Sequence, residues 1–164
     1  MGDLAKRKNI RLDNYDYKSN GAYFITICTK ERKHLFWKEE TDVGANCVRP
    51  LEYQLSTAGT IADEEIKGIN NIYGSNIRIE KYVIMPNHIH MIIVIDSFSD
   101  GRTQFAPTVS RIIKQFKGVI TKKIGESIWQ RSFYDHIIRN ENEYIQIWDY
   151  IDTNPIKWAD DEYY

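Results

Sequence analysis

The apolar stretch "AYFITICTK" (22–30) is rich in β-branched and aromatic residues, so a strand is predicted there with Tyr23, Ile25 and Ile27 on one face. In "STAGTIADEEIKGINNIYG" (56–74) the period lengthens. Ala58, Ile61, Ala62, Ile66 and Ile69 recur at helical spacing, and Gly74 is a stop signal. "NIRIEKYVIM" (76–85) and "HIHMIIVI" (88–95) read as two further strands, and Pro86 and Asn87 suit the centre of a tight turn that makes them a hairpin. A polar loop, 96–107, leads to an amphipathic helix over 110–125, with Ile112, Ile113, Phe116, Val119 and Ile120 in one stripe. The aromatic stretch 127–139 is strand-like in part, and a last helix over about 141–154 ends at Pro155. The mixed segment 31–55 reads as loop with a short strand. Strand, helix, strand, strand, helix, strand is the order of an α+β, ferredoxin-like (split βαβ) antiparallel sheet, expected with its helices on one face.

The chain of 164 residues, 42% hydrophobic and 13% aromatic, fits one globular domain without repeats. The expected organisation is a basic arm over 1–20, one domain over 21–158 and an acidic tail over 159–164. No apolar run reaches the roughly 18 residues of a membrane span, and the N-terminal stretch lacks a signal-peptide core, so a cytoplasmic location is expected. Cys28 and Cys47 lack CxxC spacing and argue against a disulfide scaffold or zinc ribbon. The net charge of −1 hides an uneven distribution. Arg111, Lys114, Lys117, Lys122 and Lys123 share one helix, Lys6, Arg7, Lys8 and Arg11 the arm, while Asp160, Asp161 and Glu162 fall in the tail. Such local basicity is compatible with a phosphate backbone.

His88 and His90 are two apart in a strand and therefore project to the same face. Two imidazoles can bind one cation, and two ligands leave positions open for substrate oxygens. His34 and His136 have no partner at metal spacing and read as structural or DNA-facing. In the last helix Tyr144, Ile147, Trp148 and Ile151 form the inward stripe, Asn140 is the expected N-cap, and Glu143 resembles a capping-box residue. At roughly 100° per residue, Tyr150 falls about 110° and Asn154 about 70° from that stripe, on the same side. Spacing alone does not single out Tyr150 among 11 tyrosines.

Three blocks in order, "YVIMPNHIHMIIVI", "IWQRSFYDHIIRNENEY" and "DYIDTNPIKW", resemble the HUH single-tyrosine transposases, and within them the REP-associated tyrosine transposases. The resemblance spans about Tyr23 to Trp158. It implies that His88 and His90, with Ile89 between them, are the metal-binding pair, that Tyr150 is the nucleophile, and that Asn154 completes the metal site. Tyr134 is the competing tyrosine, but the position four residues on is Ile138, which cannot bind a metal.

The activity implied is metal-dependent cleavage and strand transfer of single-stranded, hairpin-containing DNA through a 5′-phosphotyrosine, with Mg²⁺ or Mn²⁺ as the ion. DNA contacts are expected from Arg111, Lys114, Lys117, Lys122 and Arg131, and stacking from Trp129, Phe133 and Tyr134. The alternatives are a domesticated hairpin-DNA-binding module with little transposition and a phosphodiesterase that uses water. A monomer or a homodimer is compatible with the chain.

Overall fold

The computed structural model describes residues 20–38, 54–96 and 108–158. Residues 1–19 of the basic arm, the segment 39–53 with Cys47, the loop 97–107 and the acidic tail lie outside the described residues. The elements follow the predicted order: β1 (Gly21–Cys28), α1 (Thr57–Tyr73), β2 (Ile77–Ile84), β3 (His88–Ile95), α2 (Val109–Ile124), β4 (Tyr134–Ile138) and α3 (Glu141–Thr153). All neighbouring strands are antiparallel, in the order β2-β3-β1-β4. This is the ferredoxin-like arrangement, with β1 and β3 central.

Local chemistry sets the helix ends. The side chains of Ser56, Thr108 and Asn140 each accept a hydrogen bond from the backbone N–H three residues on, a donor the helix leaves unpaired. Gly125 stops α2 in the left-handed region at φ 91°. At α3 the capping box closes one residue early. Glu143 Oε2 accepts from the Arg139 N–H, and its Oε1 takes the Nε2 of His136 at 2.6 Å. His136 is thereby a structural tie between β4 and α3.

The helices lie on both faces of the sheet, not on one. Tyr23, Ile25 and Ile27 of β1 and Ile89, Met91 and Ile93 of β3 pack under α1 and α2, with Ile66, Ile112 and Phe116. The opposite face carries a smaller cluster, in which Val83, Met85, Ile92 and Ile138 meet Ile151 of α3. The one-face expectation failed because β3 is apolar at nearly every position, and such a run is buried from both sides. A bulge at Glu80 shifts the pairing between Ile79 and Lys81. It lets Ile77 and Ile79, then Tyr82 and Ile84, face the same helices although their parity changes.

Gly59 sits where α1 passes the backbone of Phe36, so an added Cβ would clash with that carbonyl oxygen, whereas nothing lies near a Cβ on the exposed Gly118. Opposite effects are therefore expected in urea denaturation. Gly59→Ala should destabilise by about 1–3 kcal/mol, and Gly118→Ala should stabilise by about 0.5–1 kcal/mol through helix propensity.

Candidate active site on the hairpin and the last helix

The turn between β2 and β3 is buried and held by the chain that follows β1. The Pro86 carbonyl accepts from the N–H groups of Leu35 and Phe36 at 2.8 and 3.0 Å. The Asn87 carbonyl accepts from both the N–H and the hydroxyl of Thr29, at 2.9 and 3.0 Å. Four hydrogen bonds on two consecutive carbonyls fix where β3 begins, and with it the two histidines at its mouth.

His88 and His90 are both almost fully buried. Their Nε2 atoms lie 2.9 Å apart. Each ring is also held at Nδ1, His88 by Asn87 Oδ1 at 2.8 Å and His90 by Thr26 Oγ1 at 2.8 Å. Phe24 stacks on His90, with centroids 5.2 Å apart and planes at 26°, and Trp158 closes over His88 at 5.9 Å. His34, at the surface, meets the edge of Trp158 at 5.5 Å. Burial holds the His90 pKa well below its ordinary value, and the neighbouring His88 pushes it the same way. A neutral imidazole with an available nitrogen is the form that binds metals.

The last helix delivers its tyrosine to this pair. The Tyr150 hydroxyl lies 3.2 Å from His90 Nε2, and the side chain keeps 39% of its surface exposed. Asn154, one turn later, is buried, and its N–H donates to the Tyr150 carbonyl at 3.0 Å. Its Oδ1 is a buried side-chain oxygen without a hydrogen-bond partner. Such an orphan acceptor costs stability unless something supplies a positive partner. Tyr134 lies on β4 opposite Thr26 and meets the edge of Phe24 at 6.5 Å. Among the described residues it makes no hydrogen bond or ring contact with either imidazole.

These residues fit a divalent cation. Two nitrogens on one ion at roughly 2.1 Å stand about 3 Å apart when adjacent, close to the observed separation of the Nε2 atoms. No group of three or more histidine, cysteine or carboxylate side chains able to hold a metal occurs among the described residues. Among the described residues Asn154, with its orphan Oδ1, offers an amide as a further candidate donor. Donors of this kind, if neutral, would leave the whole charge of a cation to face an anion.

The residues expected to bind DNA are scattered. Trp129 packs into the core between Phe36 and Phe116, and its Nε1–H donates to the Lys117 carbonyl at 3.2 Å, so it offers no stacking face. Lys117 donates to the carbonyls of Gln130 and Ser132 at 3.0 and 2.9 Å and lies over the ring of half-buried Phe133. Burial lowers its pKa to about 8. Both are structural anchors of the segment before β4, which the charge and aromatic pattern could not reveal. Arg111, Lys114 and Lys122 are exposed, but on α2, across the sheet from the histidines. Arg131 and Tyr134 are exposed on the approach to β4, and Tyr134 shares the histidines' face.

Sequence reasoning missed Thr26, Phe24 and Trp158, which meet the histidines only through register and folding, and saw Asn87 only as a turn residue. The site is thus a histidine pair on a central strand of a ferredoxin-like sheet, with a tyrosine brought over it by the last helix. The family described as "Transposase IS200 like" matches residues 17–154, and the chain belongs to that family. An uncharacterized protein of Haemophilus influenzae is 36% identical, with 98% of this chain and 94% of that protein aligned. A second Haemophilus influenzae protein, provisionally described as a REP-associated tyrosine transposase, is 32% identical over 89% of this chain and 77% of its own length. The fold also matches a REP-associated tyrosine transposase solved bound to a REP hairpin, with a TM-score of 0.62 at 23% identity, covering 90% of this chain and 74% of that one.

If Lys117 anchors the two carbonyls, Lys117→Met should lower stability by about 1–3 kcal/mol, as measured by urea denaturation. Unchanged stability would return Lys117 to the pool of DNA-contact candidates.

Proposed function

We propose that this protein cleaves and rejoins single-stranded DNA next to hairpins, with Tyr150 as the nucleophile. The observation that carries the reading is the Tyr150 hydroxyl 3.2 Å from His90 Nε2, itself 2.9 Å from His88 Nε2. Membership of a transposase family supports DNA as the substrate, and the relative solved with a REP hairpin supports hairpin DNA within that class.

His88, His90 and Asn154 would hold Mg²⁺ or Mn²⁺, and the bound ion would supply polarisation of the scissile phosphate and offset the negative charge that develops during attack. Tyr150 Oη attacks phosphorus in line with the 3′-oxygen. The phenol loses its proton, the P–O3′ bond breaks, and the leaving 3′-oxygen takes up a proton to become a 3′-hydroxyl. The product is a 5′-phosphotyrosine that retains a phosphodiester linkage. A second 3′-hydroxyl attacking the same phosphorus expels the phenol and joins two strands without hydrolysis. The partial exposure of Tyr150 lets the strand reach it, while the buried rings stay fixed beneath.

Tyr134, exposed on the histidines' face, and Arg131, exposed three residues before it, are the proposed contacts for unpaired bases and phosphates. Arg111, Lys114 and Lys122 lie on the other face and serve only DNA that continues past the sheet.

Incubating the protein with end-labelled hairpin DNA bearing single-stranded flanks, plus Mn²⁺, should give a protein–DNA adduct that survives denaturation. Tyr150→Phe should abolish the adduct, Tyr134→Phe should retain it, and chelation of the metal should suppress it. Free ends produced by Tyr150→Phe would instead mark a water-using phosphodiesterase, and hairpin binding without cutting would mark a binding module.

A further inference from the structure

The rings around the imidazole pair form one unbroken series across the site. Tyr134 meets the edge of Phe24 at 6.5 Å, Phe24 stacks on His90 at 5.2 Å, and His90 meets His88 at 4.4 Å. His88 in turn meets Trp158 at 5.9 Å, and Trp158 meets His34 at 5.5 Å. The two imidazoles in the middle are buried, and both ends of the series reach solvent. Tyr134 is exposed at one end, and at the other exposed His34 stands beside half-buried Trp158. The Tyr134 end is a proposed base contact already. The Trp158 end has no part in the chemistry above.

We infer that Trp158, flanked by His34, stacks an unpaired base next to the scissile phosphate, at the other end of the ring series from Tyr134. This rests on the reading of the site as one that takes single-stranded DNA. A phosphate held at the imidazole pair has a nucleotide on each side, so the strand leaves the site in two directions and needs two platforms. Stacking on an aromatic face supplies them without regard to base identity. Trp158 is a supported platform. It packs with buried Met85 and with Trp37, whose ring is 6.3 Å away and whose Nε1–H donates to the Ile84 carbonyl at 2.7 Å. A side chain held in advance loses little freedom when a base lands on it. Charge favours the same end. Lys30, Arg32 and Lys33 are exposed in the segment that carries His34, where Glu31 is the one acid, and the Arg32 carbonyl accepts from Asn87 Nδ2 at 3.4 Å beside the histidines. Cations there suit the phosphates that flank a stacked base.

The test uses the intact protein with EDTA, so that binding is read without cleavage. Hairpin DNA with single-stranded flanks carries 5-iodouracil at one flank position at a time, and ultraviolet irradiation joins that base to the ring it stacks on. One position should crosslink to Trp158 or His34, as mapped by mass spectrometry. Removing the base at that position should weaken binding by about 5- to 150-fold in fluorescence anisotropy. In Trp158→Ala the same removal should cost less than about twofold, whereas Trp158→Phe, which keeps a ring, should retain most of the penalty. Crosslinks that avoid residues 34 and 158 from every flank position would overturn the inference in the wild-type protein itself. An equal penalty in wild type and Trp158→Ala would do the same. Either result leaves the DNA reading standing where the flanks raise affinity for the hairpin. Flanks that add nothing to wild-type affinity overturn the stacking and the single-strand reading together.

Discussion

Two imidazoles buried side by side, with their Nε2 atoms 2.9 Å apart, are the constraint on which the rest of the structure turns. Polar rings without solvent must be hydrogen-bonded, and here the partners come from several parts of the fold. Thr26 comes from β1, Asn87 from the hairpin turn, Phe24 stacks from β1 and Trp158 covers from beyond α3. The turn is pinned through its own carbonyls by the segment 29–36. The sheet therefore does more than support the site, because its central strand pair sets the distance between the rings.

The two layers on the sheet have unequal duties. The α1–α2 face holds the larger core and supplies most of the apolar burial. The α3 face is smaller, and Ile151 is the one fully buried residue of that helix, with Lys81 tying β2 to Asp152. A lightly packed helix can carry a tyrosine at its flank that is half open to solvent yet within hydrogen-bond reach of the rings. The acids Glu141, Glu143, Asp149 and Asp152 give this helix a negative surface. The positive charge for a phosphate must then come from a cation at the site or from cationic side chains outside α3.

Much of this could be read in the sequence, where a local pattern was enough. The strands, the three helices, Asn140 as a cap and the Pro86–Asn87 turn follow from period and turn chemistry. The same-face projection of His88 and His90 needs only the two-residue repeat of a strand. What escaped depended on pairing or on parity. The bulge at Glu80 shows in the sequence only as a shift in the apolar positions from Ile77 and Ile79 to Tyr82 and Ile84. Trp129 and Lys117 looked like DNA contacts because charge and aromaticity do not say which way a side chain turns, and the fold turned both inward. Thr26 gained its role from a register with β3 that lies 64 residues away.

The central claim is that His88, His90 and Tyr150 share one cation-sized point. Anomalous scattering from crystals grown with Mn²⁺ tests it most directly. The account predicts one strong peak at about 2.1–2.3 Å from both Nε2 atoms, beside the Tyr150 hydroxyl and with Asn154 Oδ1 turned to it. A Mn²⁺ peak held elsewhere, or imidazoles that stay bonded to each other with no peak between them at saturating Mn²⁺, would contradict it.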